Sequence, residues 1–143
     1  MDSKGPGRFR IKLSDFGVSK RVSNRGTIAL HTRPGATAYM APEVVRRWEE
    51  EESEEEPETS YNQKADLWSV GCIVYVLDQK RNLFAHSPAS EEQANQELDR
   101  SLQGMTLESS GVHFITRLLQ FEGTRRPTAE AALKDLWLIN LWD

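Results

Sequence analysis

The chain has 143 residues, of which 38% are hydrophobic and 28% are charged, and this fits one compact globular unit rather than two. Its net charge of −4 is unevenly spread, because eight glutamates lie between positions 49 and 58 and the remainder of the chain carries +4. We find no membrane-spanning run, no signal-peptide pattern and no basic, aromatic-rich patch for nucleic acid in this sequence, so we expect neither membrane nor nucleic-acid partners.

The first elements are a leader and a strand. Residues 1–8 are polar and turn-forming, which predicts a disordered leader, and Gly5-x-Gly7 lacks the third glycine and the preceding strand of a phosphate-binding loop. Apolar and polar residues alternate from Phe9 to Leu13, which predicts a short strand. The strand leads into Asp15-Phe16-Gly17. An aspartate held there suits a hard cation such as Mg²⁺, although a plain strand end with a turn explains the same three residues.

A loop, a helix and an acidic insert follow. Residues 18–40 have no clear periodicity, and a loop of that length in a compact domain is usually functional or disordered. Pro42 is well placed in the first turn of a helix that includes Trp48. The glutamates of 49–58 repel one another, which predicts a solvated, mobile insert. Ser53, followed by three glutamates, is also a candidate site for an acidophilic kinase.

The strongest helical pattern covers residues 62–77, where apolar side chains recur on nearly all sides, as in a helix buried at the centre of a domain. Cys72 lies within it and is interpreted as a small buried hydrophobic residue rather than a reactive thiol. As the single cysteine, it forms no internal disulfide, which favours a reducing, intracellular location, cytoplasmic or nuclear.

Three further helices and an apolar tail complete the chain. We predict helices over 90–103 with Ser90 as N-cap, over 109–121, and over 128–133 with Thr128 as N-cap. The last apolar residues are expected to pack against the rest of the protein; they are Trp137, Leu138, Leu141 and Trp142. The predicted fold class is therefore mainly α with one short β element near the N-terminus.

From Asp15 onward, the order of motifs resembles the C-terminal lobe of a eukaryotic-type Ser/Thr protein kinase. The matching stretches are Asp15-Phe16-Gly17, Ala41-Pro42-Glu43, the run from Asp66 to Gly71 that opens the central helix, and Arg126-Pro127-Thr128. The resemblance covers about residues 9–138, as a partial kinase domain without the N-terminal lobe, and leaves a tail at 139–143. It divides this domain into an activation segment at 15–43, the insert at 49–58 and a helical part at 61–138. Within this family, the run Asp15-Phe-Gly-Val-Ser-Lys20 and the late helices favour a resemblance to calcium/calmodulin-dependent kinases.

The resemblance also implies roles for single residues. Asp15 would bind Mg²⁺ that bridges the phosphates of ATP, with Phe16 and Gly17 completing that motif. Thr32 is the expected site of activating phosphorylation, although it is equally a plain loop hydroxyl, and Ser19, Ser23 and Thr27 are weaker candidates. A loop containing Gly35, Ala36 and Tyr39 would form the wall for a protein substrate. Glu43 and Arg126 would form a buried ion pair, and Asp66 would accept backbone N–H groups of the catalytic loop.

Other parts of a kinase do not occur among these 143 residues. The sequence contains no His-Arg-Asp catalytic loop and no Gly-rich loop with a strand lysine. Within the matched part, Ala36 and Thr37 replace the usual Thr-Pro, and Gly123 replaces a usual proline. We therefore expect no catalysis by this chain alone, and binding of Mg²⁺ and ATP by it is in doubt. The alternatives are a truncated Ser/Thr kinase, a non-catalytic kinase-like module that binds a partner protein, or a decayed, barely expressed sequence.

Overall fold

The computed structural model describes residues 12, 14, 37–50 and 63–141, with backbone only for 47–50. Six α-helices follow one another in this part of the chain: α1 (Pro42–Glu50), α2 (Lys64–Gln79), α3 (Glu91–Leu102), α4 (Ser109–Leu118), α5 (Ala129–Leu133) and α6 (Leu136–Asn140). Short 3-10 turns occupy Thr37–Tyr39 and Gly123–Arg125. The predicted mainly α fold is confirmed, whereas the predicted strand at 9–13 lies outside the described residues.

Helix α1 begins at Pro42, as its sequence predicts, and continues through Glu50. The helix therefore extends two residues into the stretch 49–58, which is predicted to be a mobile acidic insert. Glutamate is a good helix former, so a helix already under way is extended by the first glutamates of the run. The rest of the insert, including Ser53, lies outside the described residues.

Helix α2 is the centre of the described part, and it has one covered and one exposed side. Its buried residues are Leu67, Trp68, Gly71, Cys72 and Tyr75. Val70, Ile73 and Leu77, which succeed one another at three- and four-residue spacing, are 41%, 47% and 64% exposed. Among the described residues, only one side of this apolar helix is therefore covered. A helix that is apolar all round carries no pattern that tells which face a neighbour covers.

Two clusters of buried side chains lie on the covered side of α2. In the first, Trp68 stacks on Phe84 with ring centroids 5.3 Å apart, and residues of α3 and α4 complete the cluster. In the second, Leu67 meets Phe114, Leu118, Ala132 and Trp137, which joins α2 to the last three helices. These clusters fix the position of α2 relative to everything that follows it in the chain.

The later helices begin where their capping residues predict. The Ser90 side chain accepts a hydrogen bond from the Gln93 N–H, and the Thr128 side chain accepts one from the Ala131 N–H, which confirms both N-caps. Helix α4 ends at Leu118, three residues before its predicted end. The carbonyl groups of Gln120 and Phe121 instead accept hydrogen bonds from Arg126, so the chain leaves the helix there.

The apolar tail packs only in part. Trp137 is buried and its ring lies 5.2 Å from that of Phe114, but Leu141 is 63% exposed, so its predicted packing is wrong. Trp142 lies outside the described residues. Among the helices of the described ranges, none combines the length and apolar character that crossing a membrane requires.

Candidate functional site

The turn Thr37–Tyr39 is held by side chains from α2 and from the loop that follows it. Ser69 Oγ donates a hydrogen bond to the Tyr39 carbonyl oxygen at 2.8 Å, and the Tyr39 hydroxyl donates to Asn82 Oδ1 at 2.9 Å. Thr37 Oγ1 lies 3.3 Å from His86 Nδ1. Three contacts from residues distant in sequence thus help to define the shape of this turn, beside the backbone hydrogen bond from Met40 N–H to the Thr37 carbonyl.

Glu43 follows this turn at the start of α1 and pairs with Arg126. The Nη1 and Nη2 groups of Arg126 donate to the two carboxylate oxygens at 2.7 and 2.8 Å. The Arg126 side chain is fully buried, whereas that of Glu43 is 28% exposed. Such a two-bond contact fixes both the distance and the relative orientation of the two groups. A Cβ atom on Gly123 would lie 3.1 Å from Glu43 Oε1, so a small residue at 123 leaves room for the pair.

Arg126 has further partners that compensate its burial. It donates to the carbonyl oxygens of Gln120, Phe121 and Lys64 at 2.7, 2.9 and 3.2 Å. Its guanidinium carbon lies 5.1 Å from the centre of the Trp68 ring, within cation–π range. Through these contacts Arg126 links α1, the start of α2 and the end of α4, and it positions the turn that immediately precedes α1.

Cys72 lies on the buried side of α2. Burial raises the pKa of the thiol to about 12, and the positive charge of Arg126 offsets only part of that increase. The thiolate is the reactive form, so this cysteine is not a nucleophile at neutral pH. Its interpretation as a buried hydrophobic residue agrees with an exposed fraction of 1%.

Asp66 is a further predicted site residue that the structure describes. Asp66 is exposed in the first turn of α2, and its carboxylate contacts no hydrogen-bond donor among residues 37–50 and 63–141. In these same ranges, no three His, Cys, Asp or Glu side chains come together in a way that would hold a metal ion. The remaining predicted site residues are Asp15, Phe16, Gly17, Thr32, Gly35 and Ala36, which lie outside the described residues and stay predictions.

Sequence reasoning missed the residues that hold the turn. It also missed the group of hydrogen bonds that Asp78 accepts. Nothing in the local pattern marks Asn82 or His86, because each contacts the turn across more than 40 positions of sequence. Asp78, at the end of α2, accepts hydrogen bonds from the Thr106 hydroxyl, the Thr106 N–H and the Gln79 side chain. The Thr106 hydroxyl, followed by Gln79, lowers the pKa of Asp78. These bonds connect the end of α2 to the chain between α3 and α4.

Comparison with known proteins gives a consistent result. A family model described as protein kinase domain matches residues 1–138. The chain is 33% identical over 139 residues to serine/threonine-protein kinase RAD53 of Saccharomyces cerevisiae, covering 90% of this chain and 16% of that protein. It is 28% identical over 138 residues to calcium/calmodulin-dependent protein kinase cmkA of Emericella nidulans, covering 90% of this chain and 29% of the relative.

A solved structure is also similar. The crystal structure of Rad53 1-466 in complex with AMP-PNP is 30% identical, with a TM-score of 0.50, over 73% of this chain and 26% of that one. The chain thus spans less than a third of the length of these two relatives and of this solved chain.

Proposed function

This chain belongs to the protein kinase domain family, and from that premise we propose that residues 37–141 form the substrate-binding part of the C-terminal lobe of a Ser/Thr kinase. For the whole protein, the proposed reaction is transfer of the γ-phosphoryl group of ATP to serine or threonine of a protein substrate. The turn Thr37–Tyr39, together with Gly35 and Ala36, is the proposed wall against which the substrate lies.

The observation that carries this proposal is the pairing of Glu43 with Arg126. A substrate wall must keep its shape while a peptide lies against it, because misplacement of the reacting groups by about 1 Å lowers the rate by about 10²-fold. The pair supports such a role, since Arg126 is fully buried and anchors α1 directly after the turn. The hydrogen bond from the Tyr39 hydroxyl to Asn82 supports it at the other side of the turn.

The proposed cofactors of the whole protein are ATP and Mg²⁺, with Asp15 as a metal ligand beside Phe16 and Gly17. One carboxylate does not make a metal site, and the described residues add no cluster to it. The 143 residues also contain no His-Arg-Asp, and a positioned base contributes roughly 10²–10⁴ in rate. We therefore propose that this polypeptide on its own does not transfer phosphate.

A direct assay tests this part of the proposal. The purified polypeptide is incubated with Mg²⁺, labelled ATP and a protein rich in serine and threonine, beside its Asp15→Ala variant. We expect the same background incorporation of phosphate in both samples. Transfer by the unsubstituted chain that Asp15→Ala abolishes would show that these residues suffice for catalysis and would overturn the proposed inactivity.

Sequencing the transcript upstream of the Met1 codon tests the proposed relation to a whole kinase. An in-frame His-Arg-Asp there would make these residues part of a complete catalytic domain. An in-frame stop codon without that motif would count against the proposal and favour a non-catalytic module that binds a partner protein.

The second candidate, a non-catalytic interaction module, has its own supporting observation. Ala36 and Thr37 stand where the family usually has Thr-Pro, and Thr37 contacts His86. A module of this kind has to fold by itself. A cooperative thermal transition of the monomeric chain, well above room temperature, would favour it, whereas a chain that melts without cooperativity would count against it.

Two modification sites belong to the proposal for the whole protein. Thr32 is the proposed site of activating phosphorylation, and Ser53, inside the acidic insert, is proposed as a site for an acidophilic kinase. Mass spectrometry of the protein from its native cell tests both, with phosphate expected at Thr32 and Ser53. Finding either residue unmodified in the active protein would remove it from the proposal.

A further inference from the structure

The loop after α2 contacts the turn Thr37–Tyr39 through two side chains. Asn82 accepts a hydrogen bond from the Tyr39 hydroxyl, and His86 lies against the Thr37 hydroxyl. Asn82 and His86 are exposed, so this loop and the turn share one accessible surface. A protein segment that lies along the turn therefore also meets the side chains that this loop presents.

The acidic residues that flank these two segments in sequence already have hydrogen-bond partners. Residues 79–90 contain no acidic residue, and neither do residues 37–42. The first acidic residue after the turn, Glu43, is bound to Arg126, and the last one before the loop, Asp78, is bound to Thr106 and Gln79. A basic peptide would find no uncommitted carboxylate on these segments.

In contrast, the start of this loop carries an arginine whose charge is not neutralised by any carboxylate of the described residues. Arg81 directly precedes Asn82, and its guanidinium carbon lies 5.5 Å from the centre of the Tyr75 ring. The ring is fully buried, so it offers the guanidinium a fixed support. Within residues 37–50 and 63–141, Arg81 has no carboxylate partner. Stacking on a ring leaves the N–H donors at the edge of the guanidinium free for a two-bond contact with a carboxylate.

Lys80, the residue before Arg81, adds a second positive charge. Its ammonium group donates to the Leu77 carbonyl at the C-terminal end of α2, at 2.7 Å, where the helix dipole favours a cation. The side chain is exposed, so the charge remains accessible to a ligand. In a chain with a net charge of −4, the loop that binds the turn is therefore preceded by two exposed cations, and residues 37–42 and 79–90 contain no carboxylate.

We propose that Arg81, supported by Lys80, makes this surface selective for protein segments that carry acidic residues next to the serine or threonine that they present. The inference rests on the proposed function, because it takes the Thr37–Tyr39 turn as the place where the segment lies. Arg81 binds a carboxylate of that segment. The turn, which Asn82 and His86 hold in place, determines the position of this carboxylate relative to Arg81.

Peptide binding to the full 143-residue chain tests the proposal. The probes are two fluorescent peptides of the same length with a central serine, one flanked by glutamates and the other by glutamines at the same positions. Fluorescence anisotropy is expected to give about three- to tenfold tighter binding of the glutamate peptide at low ionic strength, as for one or two exposed ion pairs. Added salt should reduce the difference.

Three variants locate the effect. Arg81→Gln is expected to bring the two affinities close together, whereas Arg81→Lys, which keeps the charge but not the two-bond contact, should retain only part of the preference. Arg100→Gln is the matched control, because Arg100 is an exposed arginine of α3 that pairs with Glu97. Circular dichroism shows whether each variant keeps the fold of the unsubstituted chain.

The outcomes separate this inference from the proposed function. Equal binding of both peptides, or a preference that Arg81→Gln leaves unchanged, overturns charge selection while the turn remains a peptide-binding surface. Binding of neither peptide overturns both charge selection and the proposed substrate wall. A stronger effect of Arg100→Gln than of Arg81→Gln would move the acidic-peptide surface to α3 and contradict the inference.

Discussion

Arg126 holds both carboxylate oxygens of Glu43 across 83 positions of sequence, at 2.7 and 2.8 Å. The arginine is fully buried, and the glutamate alone neutralises its charge within the described ranges. Removing the partner of a buried charge is more harmful than removing an exposed ion pair, because the remaining charge keeps its desolvation cost. This difference leads to the first prediction.

Glu43→Ala should lower the free energy of unfolding by about 3 kcal/mol, near the lower end of the range for a broken buried pair. The lower end is expected because Arg126 keeps three carbonyl acceptors and Glu43 is partly exposed. Urea denaturation measures the change. Glu97→Ala, which breaks the exposed pair with Arg100, is the control and should cost less than about 1 kcal/mol. Equal effects of the two substitutions would show that the buried pair does not stabilise the fold.

The second prediction concerns the close packing of α2 on α4. A Cβ atom on Gly71 would lie 2.9 Å from Leu119 Cγ and 3.1 Å from Leu118 Cβ. Gly71→Ala should therefore destabilise the protein by about 1–3 kcal/mol, as overpacking of a core does. Gly104→Ala is the control, since its nearest neighbour lies at an ordinary 3.5 Å. Thermal melting of the two variants tests this, and a Gly71 variant as stable as the Gly104 variant would contradict it.

Local features of this fold were predictable, and contacts between distant segments were not. The caps Ser90 and Thr128 depend on a few adjacent residues, so their sequence context suffices. The pairing of Glu43 with Arg126 was expected only from the resemblance to kinases, because no local pattern relates residues so far apart. The bond from Tyr39 to Asn82 had no signal at all. It depends on the path of the whole chain between them, which is decided by packing around Trp68 and Phe84.

The third prediction concerns Lys80, which ends α2 with a φ of 56°. A non-glycine residue in this left-handed region costs roughly 1–2 kcal/mol, and glycine adopts it freely. Lys80→Gly loses the hydrogen bond to the Leu77 carbonyl but relieves this cost, so we expect a gain of about 0.5–1 kcal/mol in chemical denaturation. Lys134→Gly, at the end of α5 with a φ of −93°, is the control and should give no gain. A loss of stability for Lys80→Gly would contradict the prediction.

The fourth prediction is a pH dependence that arises from Cys72. Burial raises its pKa to about 12 in the folded protein, from 9.0 for an ordinary solvent-exposed thiol. Above pH 9 the unfolded chain releases this proton while the folded chain retains it, so stability falls as pH rises toward 12. The slope should approach about 1.4 kcal/mol per pH unit. Urea titrations between these pH values test it, and Cys72→Ala should flatten the dependence. A slope equal in both proteins would assign the effect to other groups.

The last prediction concerns the uncovered face of α2. Val70, Ile73 and Leu77 form an exposed aliphatic stripe on a helix whose opposite face is fully packed. Exposed apolar stripes of this kind promote association, so sedimentation velocity should detect concentration-dependent self-association of the isolated chain, and Ile73→Glu should reduce it. Because Ile73 is 47% exposed, this substitution should change the free energy of unfolding by less than about 1 kcal/mol. Ile115→Glu, at a fully buried site of α4, is the control and should prevent folding. If Ile73→Glu unfolds the chain as Ile115→Glu does, the stripe belongs to the core and not to an uncovered face.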